Sequence, residues 1–309
     1  PNYKKYWSYS DYKQDSIEWA KNPLYGWCNK NFKPDSTPYN LYTDGLRIIT
    51  TIDSRMQKYA EEAVYEHLKF DLQPSFLLEQ SEKTHPPFAD EITDEEYENI
   101  MTLSIKRTER YRLLRNSGKD MDAILEDFHK PTHMTVFSWE GEIDTTMSPY
   151  DSILYYKHFL NAGFMSIDPH SGYVKTYVGG IDNKHFKYDH VKIARRQVGS
   201  TFKPFLYTLA MQEGLSPCYK VPNVSTTFVL PGGEIWTAKN SSSSRYDNKM
   251  VTLKWGLANS VNNVSTWIMN QFKPRGVIDV ARLMGVTSPI PAVPSICLGT
   301  PDITLYEMV

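Results

Sequence analysis

Two periods of apolar and polar positions divide the chain into segments of predicted strand and helix. Residues 45–53, "GLRIITTID", alternate as a β-strand does. The next segment has the 3.6-residue period of a helix, with Ala60 and Ala63 on one face. Ser54 and Gln57 have the spacing of a capping box at the start of that helix. The pattern therefore predicts a strand that leads directly into a helix.

Residues 70–160 are more polar and have mainly the helical period. A second capping box, Thr93 with Glu96, predicts the start of one long helix that ends at Gly118. Residues 134–147, "MTVFSWEGEIDTTM", are typical of two short strands about a Glu-Gly turn. Because charged helix faces are usually solvated, we interpret this region as a linker or accessory layer.

From residue 161 the pattern becomes that of a mixed domain. Residues 164–178 predict strand, turn and strand, and therefore an antiparallel sheet. A loop rich in Pro, Gly and Ser covers 215–249, and its four serines at 241–244 are expected to be mobile. Helices are predicted from about Ser200 to Gly214, from Thr252 to about Ala258, then to Phe272 and to Gly285.

Composition limits the classes of partner. The chain has 309 residues, 40% of them hydrophobic, which is enough for one large domain or two smaller ones. Its formal net charge of −2 provides no overall field that would attract nucleic acid or an anionic membrane. Cys28, Cys218 and Cys297 form no Cys-x-x-Cys pair, and no glycine-rich phosphate loop is present. We therefore expect no metal and no cofactor.

The segment "RRQVGSTFKPF" contains a candidate nucleophile and base. Ser200 and Lys203 are three residues apart, so a helix would place their side chains on one face. A serine hydroxyl needs a base, and a lysine serves only if its pKa falls. The apolar neighbours Phe202, Phe205 and Leu206 would lower that pKa by desolvation, and a helix N-terminus favours an oxyanion. This arrangement suits acyl transfer.

The tetrad Ser-x-x-Lys is weak by itself, because Ser10 and Lys13 match it too. The alternative is that Ser200 caps a helix and that the lysine is solvated. A second motif, Ser260-Val261-Asn262, interrupts two predicted helices. Its hydroxyl could relay a proton and its carboxamide could hold a substrate amide. An ordinary Ser/Asn turn between helices is the alternative interpretation.

Both motifs, in this order and with their flanking residues, resemble the transpeptidase domain of class A penicillin-binding proteins. The resemblance covers both halves of the chain. It rests on "GLRIITTIDSRMQKYAEEAV" at 45–64, "RRQVGSTFKPF" at 195–205, "VTLKWGLANSVNN" at 251–263 and "LGTPDITLYEM" at 298–308.

The resemblance implies a role for each candidate residue. Ser200 would be the acylated nucleophile, Lys203 its general base, Ser260 a proton shuttle and Asn262 a contact to the substrate peptide. The substrate would be a peptidoglycan stem peptide ending in D-Ala-D-Ala, cross-linked through an acyl-enzyme to an amine, and β-lactams would acylate the same serine. The site would lie on the extracytoplasmic face of the bacterial inner membrane, with envelope proteins as partners of the linker.

The implied fold is α+β and similar to serine β-lactamases and D,D-peptidases, with an antiparallel sheet against a helical cluster, truncated before the closing strands. The expected division is a linker at 1–43, an opening strand and helix with a helical accessory region at 44–160, and the N-terminal part of the transpeptidase domain at 161–309. A glycosyltransferase domain and a membrane anchor would lie upstream of this sequence.

One family motif is missing: the chain has no Lys-Thr-Gly or Lys-Ser-Gly. The resemblance places that motif downstream of Val309, so we expect feeble or absent β-lactam acylation by the chain itself. A serine β-lactamase or D,D-carboxypeptidase shares the first two motifs and is an alternative. A non-catalytic penicillin-binding sensor or scaffold is another.

Overall fold

The computed structural model describes residues 9–230 and 232–309, apart from the side chains of Ser10, Asp11 and Gln14. The chain divides into two compact units, with the boundary between residues 51 and 52. In the first unit, residues 1–8 of the expected linker, and the Ser10 side chain of the additional tetrad, lie outside the described part. That unit contains the helices α1 (Tyr9–Lys21) and α2 (Trp27–Lys30).

The second unit contains most of the secondary structure. Its α-helices are α3 (Ser54–Glu66), α4 (Gln73–Gln80), α5 (Asp94–Lys106), α6 (Glu109–Asn116), α7 (Met121–Phe128), α8 (Pro149–Lys157), α9 (Lys203–Gln212), α10 (Leu253–Ala258), α11 (Asn262–Leu283) and α12 (Leu305–Met308). A π-helical segment, His67–Leu72, joins α3 to α4, and 3-10 helices cover Gly199–Phe202 and Pro294–Leu298. No helix in the described part of the chain is long and apolar enough to cross a membrane.

The strands pair antiparallel in separate two-stranded sheets. They are β1 (Thr132–Ser138) with β2 (Gly141–Met147), β3 (Phe164–Ile167) with β4 (Val174–Val178), β5 (Arg195–Gln197) with β10 (Asp302–Thr304), β6 (Lys220–Pro222) with β9 (Met250–Thr252), and β7 (Thr227–Val229) with β8 (Ile235–Thr237). The mixed α+β class and both predicted hairpins are confirmed. The antiparallel structure of the described residues is divided among these small sheets.

The opening strand predicted for residues 45–53 is wrong. No strand forms there, and Ile48 and Ile49 are 65% and 82% exposed. Alternation alone does not make a strand, because a strand needs a ladder of backbone hydrogen bonds. The Asp53 amide donates to the Lys175 carbonyl of β4 over 3.0 Å, but residues 45–53 are not assigned to a strand. The capping box predicted for Ser54 and Gln57 is also wrong, since Asp53 is the N-cap residue and accepts from two backbone amides of the first turn.

Gln57 has a different role from the one its spacing predicts. Its Nε2 donates to the carbonyl of Tyr177 over 3.0 Å, and the Tyr177 amide donates to its Oε1 over 2.8 Å. A side-chain amide can make this reciprocal pair because it carries both a donor and an acceptor. The pair attaches α3 to the edge of β4.

The helical region before the first hairpin agrees only partly with prediction. The capping box of Thr93 and Glu96 is present, with both reciprocal hydrogen bonds. The long helix to Gly118 is wrong, because it is interrupted at Arg107, and Thr108 caps a second helix by accepting from the Tyr111 amide. A threonine competes with the helical hydrogen bonds and favours a cap over a helix interior.

The main core lies between α9, α10 and α11. Phe202, Leu206, Leu253, Val264 and Ile268 are buried there almost completely. α11 contains a break at Lys273, where φ is 62° and Pro274 follows, so the two helices predicted to Phe272 and to Gly285 are confirmed. This packing brings the first residues of α9 and α11 together at one end of the core.

Candidate active site

At the start of α9, Ser200 and Lys203 differ in their exposure to solvent. In the 3-10 helix, the Lys203 amide donates to the carbonyl of Ser200. A 3-10 turn contains three residues, so the two side chains lie nearly in line. Ser200 is exposed, and among the described residues its hydroxyl has no hydrogen-bond partner. Lys203 is completely buried, and Pro204 lies in the first turn of the helix, where its missing N–H is tolerated.

The buried amine of Lys203 brings three of the four predicted residues together. Its Nζ donates to the backbone carbonyl of Ser260 over 2.6 Å, to Ser260 Oγ over 3.0 Å and to Asn262 Oδ1 over 2.9 Å. These three acceptors match the three hydrogens of an ammonium group. Ser200 is not part of this hydrogen-bonded group, although it lies one turn away on the same helix.

Burial shifts the protonation equilibrium of Lys203 towards its uncharged form. Burial among Phe202, Leu206 and the rest of the core lowers the pKa of Lys203, and Cys297 acts weakly in the opposite direction. Cys297 is buried too, and burial raises the pKa of its thiol to about 12. The thiol is therefore neutral at pH 7. Sequence reasoning missed Cys297 because it lies far along the chain from Lys203.

Ser260 has a backbone conformation that motif reasoning did not predict. Its φ is +53°, in the left-handed region that non-glycine residues seldom adopt. The Val261 amide donates to the carbonyl of Gly256, so the chain reverses tightly between α10 and α11. In this conformation both the carbonyl and the hydroxyl of Ser260 accept from one amine.

Asn262 is the first residue of α11, and both ends of its amide are used. Nδ2 donates to the backbone carbonyl of Lys239 over 3.0 Å, while Oδ1 accepts from Lys203. The predicted mobile loop therefore contributes a backbone atom to the site, at a position before its four serines. That contribution was not predicted.

The loop before Ser200 is held by the segment that follows the second 3-10 helix. The Gly199 amide donates to the carbonyl of Gly299 over 2.9 Å, and the Val198 amide donates to that of Pro301 over 3.2 Å. A Cβ at Gly299, where φ is +81°, would overlap the Gly199 carbonyl. The two segments approach so closely that position 299 requires glycine. In the sequence, the family resemblance of "LGTPDITLYEM" pointed to this segment, but it did not indicate which residues make the contact.

A polar cavity of about 270 Å³ opens beside Ser260. It is lined by Asn223, Asn240, the four serines 241–244, Trp255, Asn259, Ser260 and Val261. A larger cavity of about 640 Å³ lies between α3 and residues 177–189 and contains none of the four predicted site residues. Within residues 9–230 and 232–309, no three or more His, Cys, Asp or Glu side chains are grouped to hold a metal ion.

Known proteins match this chain over the same regions. The model of the penicillin-binding protein middle domain matches residues 83–160, and that of the penicillin-binding protein transpeptidase domain matches residues 142–288. Penicillin-binding protein 1A of Rickettsia bellii is 27% identical over 287 residues, which are 86% of this chain and 35% of that protein. Penicillin-binding protein 2D of Bacillus subtilis is 34% identical over 151 residues, which are 48% of this chain and 22% of that protein.

A solved structure extends the comparison to the fold. The crystal structure of penicillin-binding protein 1A from Haemophilus influenzae aligns with 96% of this chain and 45% of its own, with a TM-score of 0.56 and 18% sequence identity. At this identity the likeness concerns the fold alone. The chain spans roughly a third or less of the length of the two curated relatives.

Proposed function

The chain belongs to the penicillin-binding proteins, with their middle domain over residues 83–160 and their transpeptidase domain over 142–288, and we propose that it contains the acyl-serine site of a peptidoglycan D,D-transpeptidase. The observation that carries the proposal is the buried Lys203 amine, hydrogen-bonded to Ser260 and Asn262 and one turn from the exposed Ser200. A structural lysine at a solvated helix end would not be enclosed in this way.

The first half of the reaction would form an acyl-enzyme. The Ser200 hydroxyl attacks the carbonyl of the penultimate D-Ala of a stem peptide, and the uncharged Lys203 amine accepts its proton. The bond to the terminal D-Ala breaks, and Ser260 passes a proton to that leaving amine. Catalytic hydrogen bonds often tighten only with substrate bound, so the unpaired Ser200 hydroxyl in the free protein is compatible with this role.

The second half would transfer the acyl group to an amine. The amino group of a neighbouring stem peptide attacks the ester carbonyl, the new amide forms and the bond to Ser200 Oγ breaks. The proton returns to the serine through the same Lys203 and Ser260 pair. Asn262 would hold the substrate amide, using the edge of its carboxamide that its bonds to Lys239 and Lys203 leave open.

Other parts of the proposal follow from the family. The finer fold would be that of serine β-lactamases and D,D-peptidases, with a transpeptidase part from about residue 161 preceded by linker and accessory regions. The site would act at the extracytoplasmic face of the inner membrane, and β-lactams would acylate Ser200. The linker would serve envelope partners. These properties of the whole relatives are proposals here, since the chain spans only part of their length.

Two rival functions remain to be separated. A serine β-lactamase or D,D-carboxypeptidase would pass the acyl group to water, whereas a transpeptidase passes it to an amine. The matched middle domain favours the synthase, because a simple hydrolase needs no such region. A scaffold or sensor would keep its cellular role after Ser200→Ala.

Intact-protein mass spectrometry after incubation with a penicillin tests the proposal. We expect at most one slowly formed adduct on the wild-type chain, because the sequence contains no Lys-Thr-Gly or Lys-Ser-Gly. Ser200→Ala should form none. Thr227→Ala, which removes an exposed hydroxyl in the same domain, should react as the wild type does. An adduct that forms equally on Ser200→Ala and on the wild type would refute the acyl-serine function. Rapid labelling would refute only the need for the third motif.

A further inference from the structure

The two ends of the Asn262 amide are not equivalent for the lysine that they face. In the observed orientation Oδ1 accepts from Lys203 and Nδ2 donates to the Lys239 carbonyl. The reversed orientation would place the amide oxygen against that carbonyl and the N–H₂ group against the lysine amine. The Lys239 carbonyl therefore selects the orientation in which Lys203 meets an acceptor.

The position of the Lys239 carbonyl depends in turn on the next residue. Asn240 Oδ1 accepts from the Asn263 backbone amide over 3.1 Å, in the first turn of α11. Asn240 Nδ2 donates to Asn223 Oδ1 over 3.1 Å and lies 3.4 Å from Asp247 Oδ1. One half-buried side chain thus connects the loop to the helix that carries Asn262.

The groups that hold Asn240 are themselves fixed. Asn223 is 1% exposed, and its Nδ2 donates to the Tyr246 carbonyl over 3.1 Å. Asn263 is 6% exposed and donates from Nδ2 to Asn223 Oδ1 over 3.1 Å. Buried amides with partners at both ends have few alternative arrangements, so this cluster resists rotation.

We propose that Asn240 is a positioning residue, which holds the Lys239 carbonyl in place and so orients the Asn262 carboxamide with its oxygen towards Lys203. The assignment deepens the proposed function and rests on it for its catalytic meaning. Its physical content, the orientation of one amide next to one amine, holds whether or not Ser200 is acylated. The serine-rich loop is then part of the active-site support.

Carbon-13 NMR of the lysine Cε in this chain tests the proposal without substrate. The Cε resonance reports the pKa of Lys203, and its assignment comes from comparison with Lys203→Met. An oxygen acceptor favours the ammonium form, so its loss in Asn240→Ala should lower the Lys203 pKa by about half a pH unit or more. The other titratable group acting on this amine is the Cys297 thiol, which the substitution leaves in place. Thr227→Ala, at an exposed position of β7 in the same loop, should leave the pKa unchanged.

A second variant protects the test against misfolding. Asn240→Ser removes the carboxamide without adding a charge, and should lower the Lys203 pKa as alanine does. Thermal unfolding shows which variants are folded.

The outcomes separate the two proposals. An unchanged Lys203 pKa in folded Asn240→Ala and Asn240→Ser would overturn the positioning role. So would a rise towards the ordinary lysine value, since it would mean that the loop only shields the amine from water. Acylation of Ser200→Ala equal to that of the wild type would refute the proposed function and leave the NMR result valid. If acylation does occur, the acidic limb of its pH profile should move with the NMR pKa.

Discussion

Glu307 joins the segment beside the nucleophile loop to the rest of the domain through six hydrogen bonds. Oε1 accepts from the amide and hydroxyl of Thr287 and from the Ser288 amide, each over 2.7 Å. Oε2 accepts from the Ser288 hydroxyl over 2.5 Å and from the amide and hydroxyl of Thr304 over 3.2 and 2.9 Å. Thr304 belongs to β10, which pairs with the strand leading to Ser200.

These bonds give Glu307 a measurable effect on stability. Burial alone would raise the pKa of Glu307, but the bonds from Ser288 and Thr287 outweigh burial and lower the pKa from 4.5 to about 2. At about 1.4 kcal/mol per pH unit this corresponds to about 3 kcal/mol, and solvent near a half-buried group reduces it to about 2 kcal/mol. Because the folded-state pKa is the lower one, this stabilisation is complete above pH 4.5 and is lost as pH falls towards 2.

Glu307→Gln tests this reasoning with little change of shape. Its amide nitrogen must face donors on one side, so we expect the free energy of unfolding at pH 7 to fall by about 2 kcal/mol. Urea unfolding at pH 7 and pH 3 measures the difference between the wild type and the variant. That difference should shrink by about half at pH 3. Glu234→Gln removes a carboxylate from an exposed position and should change stability little at either pH.

Two results would contradict the role assigned to Glu307. One is a difference below about 0.5 kcal/mol at pH 7, which is the range of an ordinary surface substitution. The other is a difference of equal size at both pH values, which would mean that the carboxylate charge has no part in the stabilisation.

Two further predictions concern the site. The rate of adduct formation by penicillin should rise with pH about a midpoint below 10.5, since burial lowers the pKa of Lys203. Lys203→Met should reduce that rate about a hundredfold or more. A midpoint at 10.5 or above in stopped mass-spectrometric time courses would contradict a buried base. In urea unfolding, Gly299→Ala should lower the free energy of unfolding by about 2 kcal/mol more than Gly285→Ala does. Both residues have positive φ, but only at Gly299 would the new Cβ overlap backbone atoms. Equal losses of stability would contradict the close approach.

Features that depend on neighbouring residues could be predicted from the sequence. The Thr93 and Glu96 cap, both hairpins and the proline in the first turn of α9 agree with the structure, since each needs only residues a few positions apart. The motif spacing identified the four candidate site residues. The fall in the Lys203 pKa followed from the apolar residues on the same helix.

Features that depend on distant partners were decided by the tertiary structure. The segment predicted as a strand at 45–53 forms none, although its last residue, Asp53, donates its amide to the Lys175 carbonyl of β4. Gln57 bonds Tyr177, which is 120 positions away, in place of its own helix N-terminus. The acceptors of the Lys203 amine come from 57 and 59 positions further along the chain. Local periodicity does not indicate which distant segments come into contact, because packing of the whole core decides those contacts. For the same reason the left-handed Ser260 and the Asn240 cluster could be found only in the folded chain.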